Sequence, residues 1–244
     1  MIRERAPAKV NLVLQVGARR ADGLHEICSI FASLKLEDEL TFLASEDGDD
    51  NVRCPGVEGP NLVDAALKLF RERVDSGLPG LDVSVEKRIP VAAGLGGGSA
   101  DAAAALRAAN ELAGRPLDTA DLRALSAELG ADVPSQIEPR HALVTGAGEY
   151  VEALKLPAMG LVLVPNETGL STADVYREAD RLGSTRQDLE PDRLRELAEG
   201  PLPALAAGVS GSGPTAFGVF SGPAMAERAA AAVEGAIATR LKPS

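Results

Sequence analysis

The chain has 244 residues, enough for one large domain or two small ones sharing a cleft. It carries 36 acidic against 25 basic residues, a net charge of −11, with 3% aromatic residues and no Trp. An acidic surface repels phosphate backbones and single-strand binding needs aromatic platforms, so no nucleic-acid partner is expected.

The amino terminus, Met1-Ile2-Arg3-Glu4-Arg5, is charged and leads straight into a strand pattern, with no signal peptide visible. No apolar run approaches a membrane span. The expectation is a soluble cytoplasmic protein, away from membranes, a monomer or weak homodimer. Cys28 and Cys54 are the only cysteines and nothing demands that they pair.

Lys9 to Val16 alternates as a strand, and Gly17 to Leu24 is a charged turn carrying Asp22-Gly23. Ile27 to Leu36 and Asp38 to Leu43 predict a second and a third strand. Ser45 to Asn51 is an acidic loop. Asn61 suits the cap of a helix over Leu62 to Val74, whose Leu62, Ala65, Ala66, Leu69 and Phe70 share one face. Leu81 to Lys87 alternates as a strand.

The next segment is the most informative. Ile89-Pro90-Val91-Ala92-Ala93-Gly94-Leu95-Gly96-Gly97-Gly98-Ser99-Ala100-Asp101-Ala102 joins that strand to an alanine-rich helix. Glycines let backbone N–H groups approach an anion, and Ser99 is positioned to cap a helix whose dipole favours phosphate. The alternative is a tight turn and nothing more, but four glycines in five positions exceed what a turn requires. Neither a Walker A loop nor the dinucleotide fingerprint is present.

Asp118 predicts the cap of a helix through Leu129, which Gly130 stops; Pro134 keeps helix from resuming, leaving Asp132 in a loop. Ala142 to Val144 and Tyr150-Val151 suggest strands around Gly146-Ala147-Gly148. A second unit, with a boundary near residue 155, opens on the apolar strand Leu161 to Pro165. Ser171 or Thr172 caps a helix through Leu182, and short helices fill Leu189 to Leu205. Gly208 to Thr215 is a second glycine-serine loop, followed by a strand over Ala216 to Phe220 and a helix over Pro223 to Thr239. The sum is an α+β chain of two units.

Lys9, among Ala8, Val10 and Leu12, either is buried with a partner or snorkels from the strand edge. Asp132 either bonds loop amides or serves a hydroxyl nucleophile as base or orienting group. A kinase needs such a carboxylate and a cation near the transferred phosphoryl group. His25 is a surface histidine beside Glu26 or a hydrogen-bonding group for a polar substrate, and His141 reads as structural. No His, Cys and carboxylate cluster has metal-ligand spacing, and Ser210 in Gly208-Val209-Ser210-Gly211 misses the nucleophile elbow.

These motifs coincide with one family. Pro7-Ala8-Lys9-Val10-Asn11-Leu12 with Arg19 to Glu26, Ile89 to Ala103, and Gly208 to Thr215 stand in the order found in the GHMP kinases, and the chain resembles them over nearly its whole length. Asn61-Leu62-Val63 and Gly130-Ala131-Asp132-Val133-Pro134 add to the likeness. The resemblance implies a two-domain α+β kinase fold: a ribosomal-type amino-terminal domain over residues 1–155 that binds ATP, and a ferredoxin-like carboxy-terminal domain over 156–244. It implies Mg2+ and ATP as cofactors. The triple glycine followed by Asp101 suggests the branch that phosphorylates the 2-hydroxyl of a cytidine-diphosphate sugar alcohol. A homoserine- or mevalonate-type alcohol, or nucleotide binding without catalysis, is the alternative.

The resemblance also assigns residues. Catalytic roles fall on Lys9 and Asp132. ATP falls to Pro90, Val91, Ala92, Ala93, Gly94, Leu95, Gly96, Gly97, Gly98, Ser99 and Ala100, with Asn61 and Lys87, and Ser99 is the candidate metal ligand. Substrate falls to Asn11, His25 and Tyr176, with the His25 side chain bonding cytosine and Tyr176 stacking on it. Three positions depart from the family pattern: Leu24 for Tyr, Ala100 for a second Ser, and Ser135-Gln136 for Phe-Phe.

Overall fold

Alternating apolar residues near the amino terminus extend into one long strand. In the computed structural model β1 runs Ile2–Arg19, beyond the stretch the alternation marks. The structure describes residues 1–57, 59, 61–75, 77–166, 171–200 and 207–243. β1 pairs with β2, His25–Ala44. The turn between them starts later than Gly17: the Arg20 N–H donates to the Leu24 carbonyl at 2.6 Å and the Gly23 N–H to the Arg20 carbonyl at 3.1 Å.

β2 is one strand where the sequence suggested two. The expected break falls at Glu37, with the third strand opening on a second charge, Asp38. That side chain is wholly buried and accepts the N–H groups of Arg88 and Ile89 at 2.6 and 2.8 Å, so the strand carries it through.

The chain divides by its internal contacts into two units, residues 1–8, 37–91 and 96–139 in one, and residues 9–36, 92–95 and 140–244 in the other. In the first, the 39–44 part of β2 pairs antiparallel with β4, Leu81–Glu86, and β4 pairs parallel with the short β3, Asn51–Arg53. Four helices follow in this unit: α1 Leu62–Arg73, α2 Gly97–Leu112, α3 Thr119–Ser126 and α4 Val133–Ile137. Leu40, Phe42, Leu67, Phe70 and Leu81 form its core with the buried alanines of α2. Ala102 to Ala105 are fully covered, and side chains this small let α1 and α4 lie close against α2.

The caps are local and legible. Asn61 Oδ1 accepts the N–H groups of Val63 and Asp64 at 2.8 and 3.0 Å, and Asp118 Oδ1 accepts that of Asp121 at 2.9 Å. Two expectations fail. α2 is entered through Gly96 in the left-handed region, so Ser99 lies inside the first turn and caps nothing. α3 stops at Ser126, and Pro134 sits in the first turn of α4 instead of blocking it, where its missing N–H costs no bond. Asp132 therefore stands directly before a helix.

In the second unit, residues 27–31 of β2 pair with β5, Ala142–Gly146, which pairs with β6, Tyr150–Ala153. Then come β7 Gly160–Val164, α5 Thr172–Arg181, α6 Pro191–Glu199, β8 Ala207–Val209, β9 Ala216–Phe220, α7 Pro223–Ala230 and β10 Ile237–Arg240. Their antiparallel sheet has the order β10-β7-β9-β8, the ferredoxin-like arrangement. Ser171 caps α5. α6 carries the helix expected after Leu189, and residues 201–206 lie outside the described part. The expected last helix ends at Ala230. Gly235, at φ 71°, turns the chain, and Ile237 to Arg240 pair with β7. Alanine content had masked a strand whose partner lies far away in sequence.

Candidate active site

The glycine loop runs from the end of β4 to the start of α2. Ala92, Gly94 and Gly96 hold φ of 56°, 75° and 69°, and no side chain caps α2. The first turn of that helix keeps N–H groups uncommitted, the elementary condition for holding an anion. In the second unit, residues 92–95 are stitched to the other glycine loop. Ser210 Oγ donates to the Gly94 carbonyl at 3.0 Å and Thr215 Oγ1 to the Ala93 carbonyl at 2.5 Å. A Cβ on Gly94 would overlap the Cα of Gly213, and one on Gly213 would overlap the Cα of Gly94. Both glycines are set by this backbone contact.

Lys9 is buried, with 5% of its surface exposed, so it does not snorkel. Its Nζ donates to Asn11 Oδ1 at 2.8 Å and lies 4.5 Å from the centre of the Phe31 ring. Its backbone N–H donates to the Leu95 carbonyl at 2.9 Å, tying β1 to the glycine loop. Asn11 is held by both ends of its amide: Oδ1 takes the Lys9 proton, and Nδ2 donates to Ser29 Oγ at 2.9 Å. The Asn11 backbone N–H donates to Ser210 Oγ at 3.3 Å. Lys9, Asn11 and both glycine loops are thus brought together.

In the first unit Lys87 Nζ lies between Asp38 Oδ2 at 2.5 Å and Asp101 Oδ2 at 2.7 Å. Two buried carboxylates share one ammonium, and Asp101 Oδ1 has no hydrogen-bond partner among the described residues. Burial pushes the Asp101 carboxyl up to about 7, Asp38 adds to the rise, and Lys87 opposes it. Against its own burial, Lys87 is held above the usual lysine range by Asp101 and Asp38. The Lys87 ammonium lies beside Gly97, where a Cβ would come within 3.3 Å of it.

Asp132 is half-buried at the start of α4. Its carbonyl accepts from Ser135 Oγ at 2.7 Å, and the Gln136 carbonyl accepts from Arg107 Nη1 at 2.7 Å. Of the departure Ser135-Gln136, the Ser135 hydroxyl adds a bond to the Asp132 carbonyl, while the buried Gln136 Oε1 meets no hydrogen-bond partner among the described residues. Ala100 is buried on the core face of α2, and Leu24 is 51% exposed.

In the second unit His25 and Tyr176 meet, their ring centres 5.1 Å apart and tilted by 31°. Tyr176 also packs on the cluster of Ile27, Phe31, Ala142 and Val144. His25 Nε2 lies 2.7 Å from Asp180 Oδ1. Sequence reasoning missed Asp180 and Asp38, and took Ser210 only as a nucleophile candidate. Only Asp180 left a signal, standing one helical turn after Tyr176 on α5. His141 is structural in its bonding: Nδ1 accepts the Ser33 N–H at 3.1 Å, Nε2 meets the Lys242 carbonyl at 2.9 Å, and burial pushes the imidazole down.

A model of the GHMP kinases N terminal domain matches residues 61–138 and one of the GHMP kinases C terminal region matches 178–238. A 4-diphosphocytidyl-2-C-methyl-D-erythritol kinase of Rhizobium etli is 38% identical, over 95% of this chain and 90% of that protein. One from Anaeromyxobacter sp. strain K is 39% identical over 94% and 84%. A crystal structure of a 4-(cytidine 5'-diphospho)-2C-methyl-D-erythritol kinase matches with a TM-score of 0.81 at 33% identity and covers 100% of both chains. The chain belongs to the GHMP kinase family and is an ATP-dependent kinase. No described helix is long and apolar enough to cross a membrane.

Proposed function

We infer that this chain transfers the γ-phosphoryl group of ATP to the 2-hydroxyl of 4-diphosphocytidyl-2-C-methyl-D-erythritol, giving the 2-phosphate and ADP in isoprenoid precursor synthesis. The observation that carries this reading is the match, over the full length of both chains at 33% identity, to a kinase of that substrate. A homoserine kinase from Cytophaga hutchinsonii at 18% identity and the L. major mevalonate kinase at 14% share the fold alone.

Phosphoryl transfer asks a protein for position and charge more than for covalent chemistry. Lys9 supplies a fixed ammonium, immobilised by Asn11 and Phe31, for the charge on the transferred group. Asp132 accepts or orients the substrate hydroxyl proton. Residues Pro90 to Ala100, with Asn61 and Lys87, hold ATP, and its phosphates approach the uncapped start of α2. A Mg2+ ion bound with ATP would neutralise phosphate charge, and Ser99 is the side chain that would hold it. Asn11, His25 and Tyr176 hold the substrate. We assign ATP binding to residues 1–155 and the carboxy-terminal kinase domain to 156–244, and propose a cytoplasmic monomer or weak homodimer without a nucleic-acid partner.

Replacing either catalytic group tests this. Lys9→Ala and Asp132→Asn are each expected to lower kcat by about a hundredfold or more. Asp132→Asn keeps the ATP dissociation constant of the unaltered protein in calorimetry. Turnover retained in Asp132→Asn would remove the base.

A further inference from the structure

The His25–Asp180 contact carries chemistry beyond holding two side chains together. A carboxylate oxygen only accepts, so the ring nitrogen 2.7 Å from Asp180 Oδ1 is the one that bears hydrogen. The His25 side chain is 6% exposed and Asp180 38%, so a buried imidazole meets a carboxylate at the surface. Tyr176, four residues before Asp180 on α5, lies against the imidazole. The described residues form no hydrogen bond to Nδ1, the remaining polar atom of the ring.

We propose that Asp180 is a positioning residue that holds His25 in its Nε2–H tautomer, so that Nδ1 offers a lone pair to an exocyclic amino group on the base of the substrate. This rests on the reading that the substrate is a cytidine diphosphate. Cytosine carries that amino group where uracil carries a carbonyl oxygen. A lone pair facing a carbonyl leaves two acceptors opposed, and mismatches of that kind reject a ligand strongly. Asp180 thereby sets base choice without touching the base.

The test compares the cytidine substrate with its uridine analogue for the unaltered protein, Asp180→Ala and Asp180→Asn. The unaltered protein prefers cytidine in kcat/KM by at least about tenfold, the size of one hydrogen bond gained or lost. Asp180→Ala raises KM for the cytidine substrate by about tenfold and erodes the preference, while kcat and KM for ATP hold. Asp180→Asn keeps an acceptor oxygen and restores the KM. Nitrogen NMR of His25 gives a readout free of turnover: a pyridine-type Nδ1 in the unaltered protein and in Asp180→Asn, and a mixture of tautomers in Asp180→Ala. An unchanged KM and spectrum in Asp180→Ala, or a protonated Nδ1 in the unaltered protein, would overturn the proposal. Rejection of both nucleotides by the unaltered protein would sink the substrate reading alone, and the nitrogen signals would still decide the role of Asp180.

Discussion

Lys87 is the residue whose surroundings say most about energetics. One ammonium facing two buried carboxylates leaves a net negative charge in the first unit, and Asp101 absorbs the cost by rising to about 7. A carboxyl whose folded pKa lies above its unfolded value binds its proton more tightly in the native state. Its contribution to stability is present below the ordinary value of 3.8 and is lost as pH rises through about 7. Asp101→Asn removes that slope. Melting temperatures followed across this range should fall more steeply with pH for the unaltered protein than for the variant, and parallel curves would show that Asp101 does not titrate there. The motif made Asp101 visible in the sequence. Asp38 stayed hidden, since an acid between Glu37 and Glu39 gives no sign that Lys87, Arg88 and Ile89 will come to meet it.

At the scale of elements, caps and loops were readable because their chemistry is local. Asn61 is an example: its side chain reaches two and three residues ahead, and Asn61→Ala should cost about 1 kcal/mol by chemical denaturation. The two glycine loops were each visible, but their union was not, because no periodicity links Gly94 to Gly213. The backbone contact between them makes a sharp pair of expectations. Gly213→Ala forces a Cβ into the Gly94 backbone and should lower the melting temperature by several degrees, about 2 kcal/mol or more. Gly98→Ala meets only Leu62 Cδ1 at 3.6 Å, an ordinary contact in a helix, and should leave the melting temperature equal or higher. Equal losses in the two variants would contradict this account of the loops. The strand β10 failed to show for the same reason the loop union did: alanine favours helix locally, and only pairing with β7 makes Ile237 to Arg240 extended.

For the whole molecule, the order of motifs carried the family and the α+β class, while the path of the chain between its two contact units did not follow from sequence. β1 and β2 each contribute to both units, and the glycine loop passes residues 92–95 from one to the other. A linear reading divides a chain once; contacts between distant segments divide it several times. With a net charge of −11, the anionic substrate proposed above requires local donors, the role we propose for Lys9 and the loop N–H groups. The most direct measurement is ADP release from MgATP with 4-diphosphocytidyl-2-C-methyl-D-erythritol beside homoserine, mevalonate and galactose, with phosphorus NMR of the product. Turnover of the cytidine substrate alone, with the new phosphate on the 2-hydroxyl, is the predicted result. Turnover of another alcohol in its place, or of none while ATP still binds, would contradict the account.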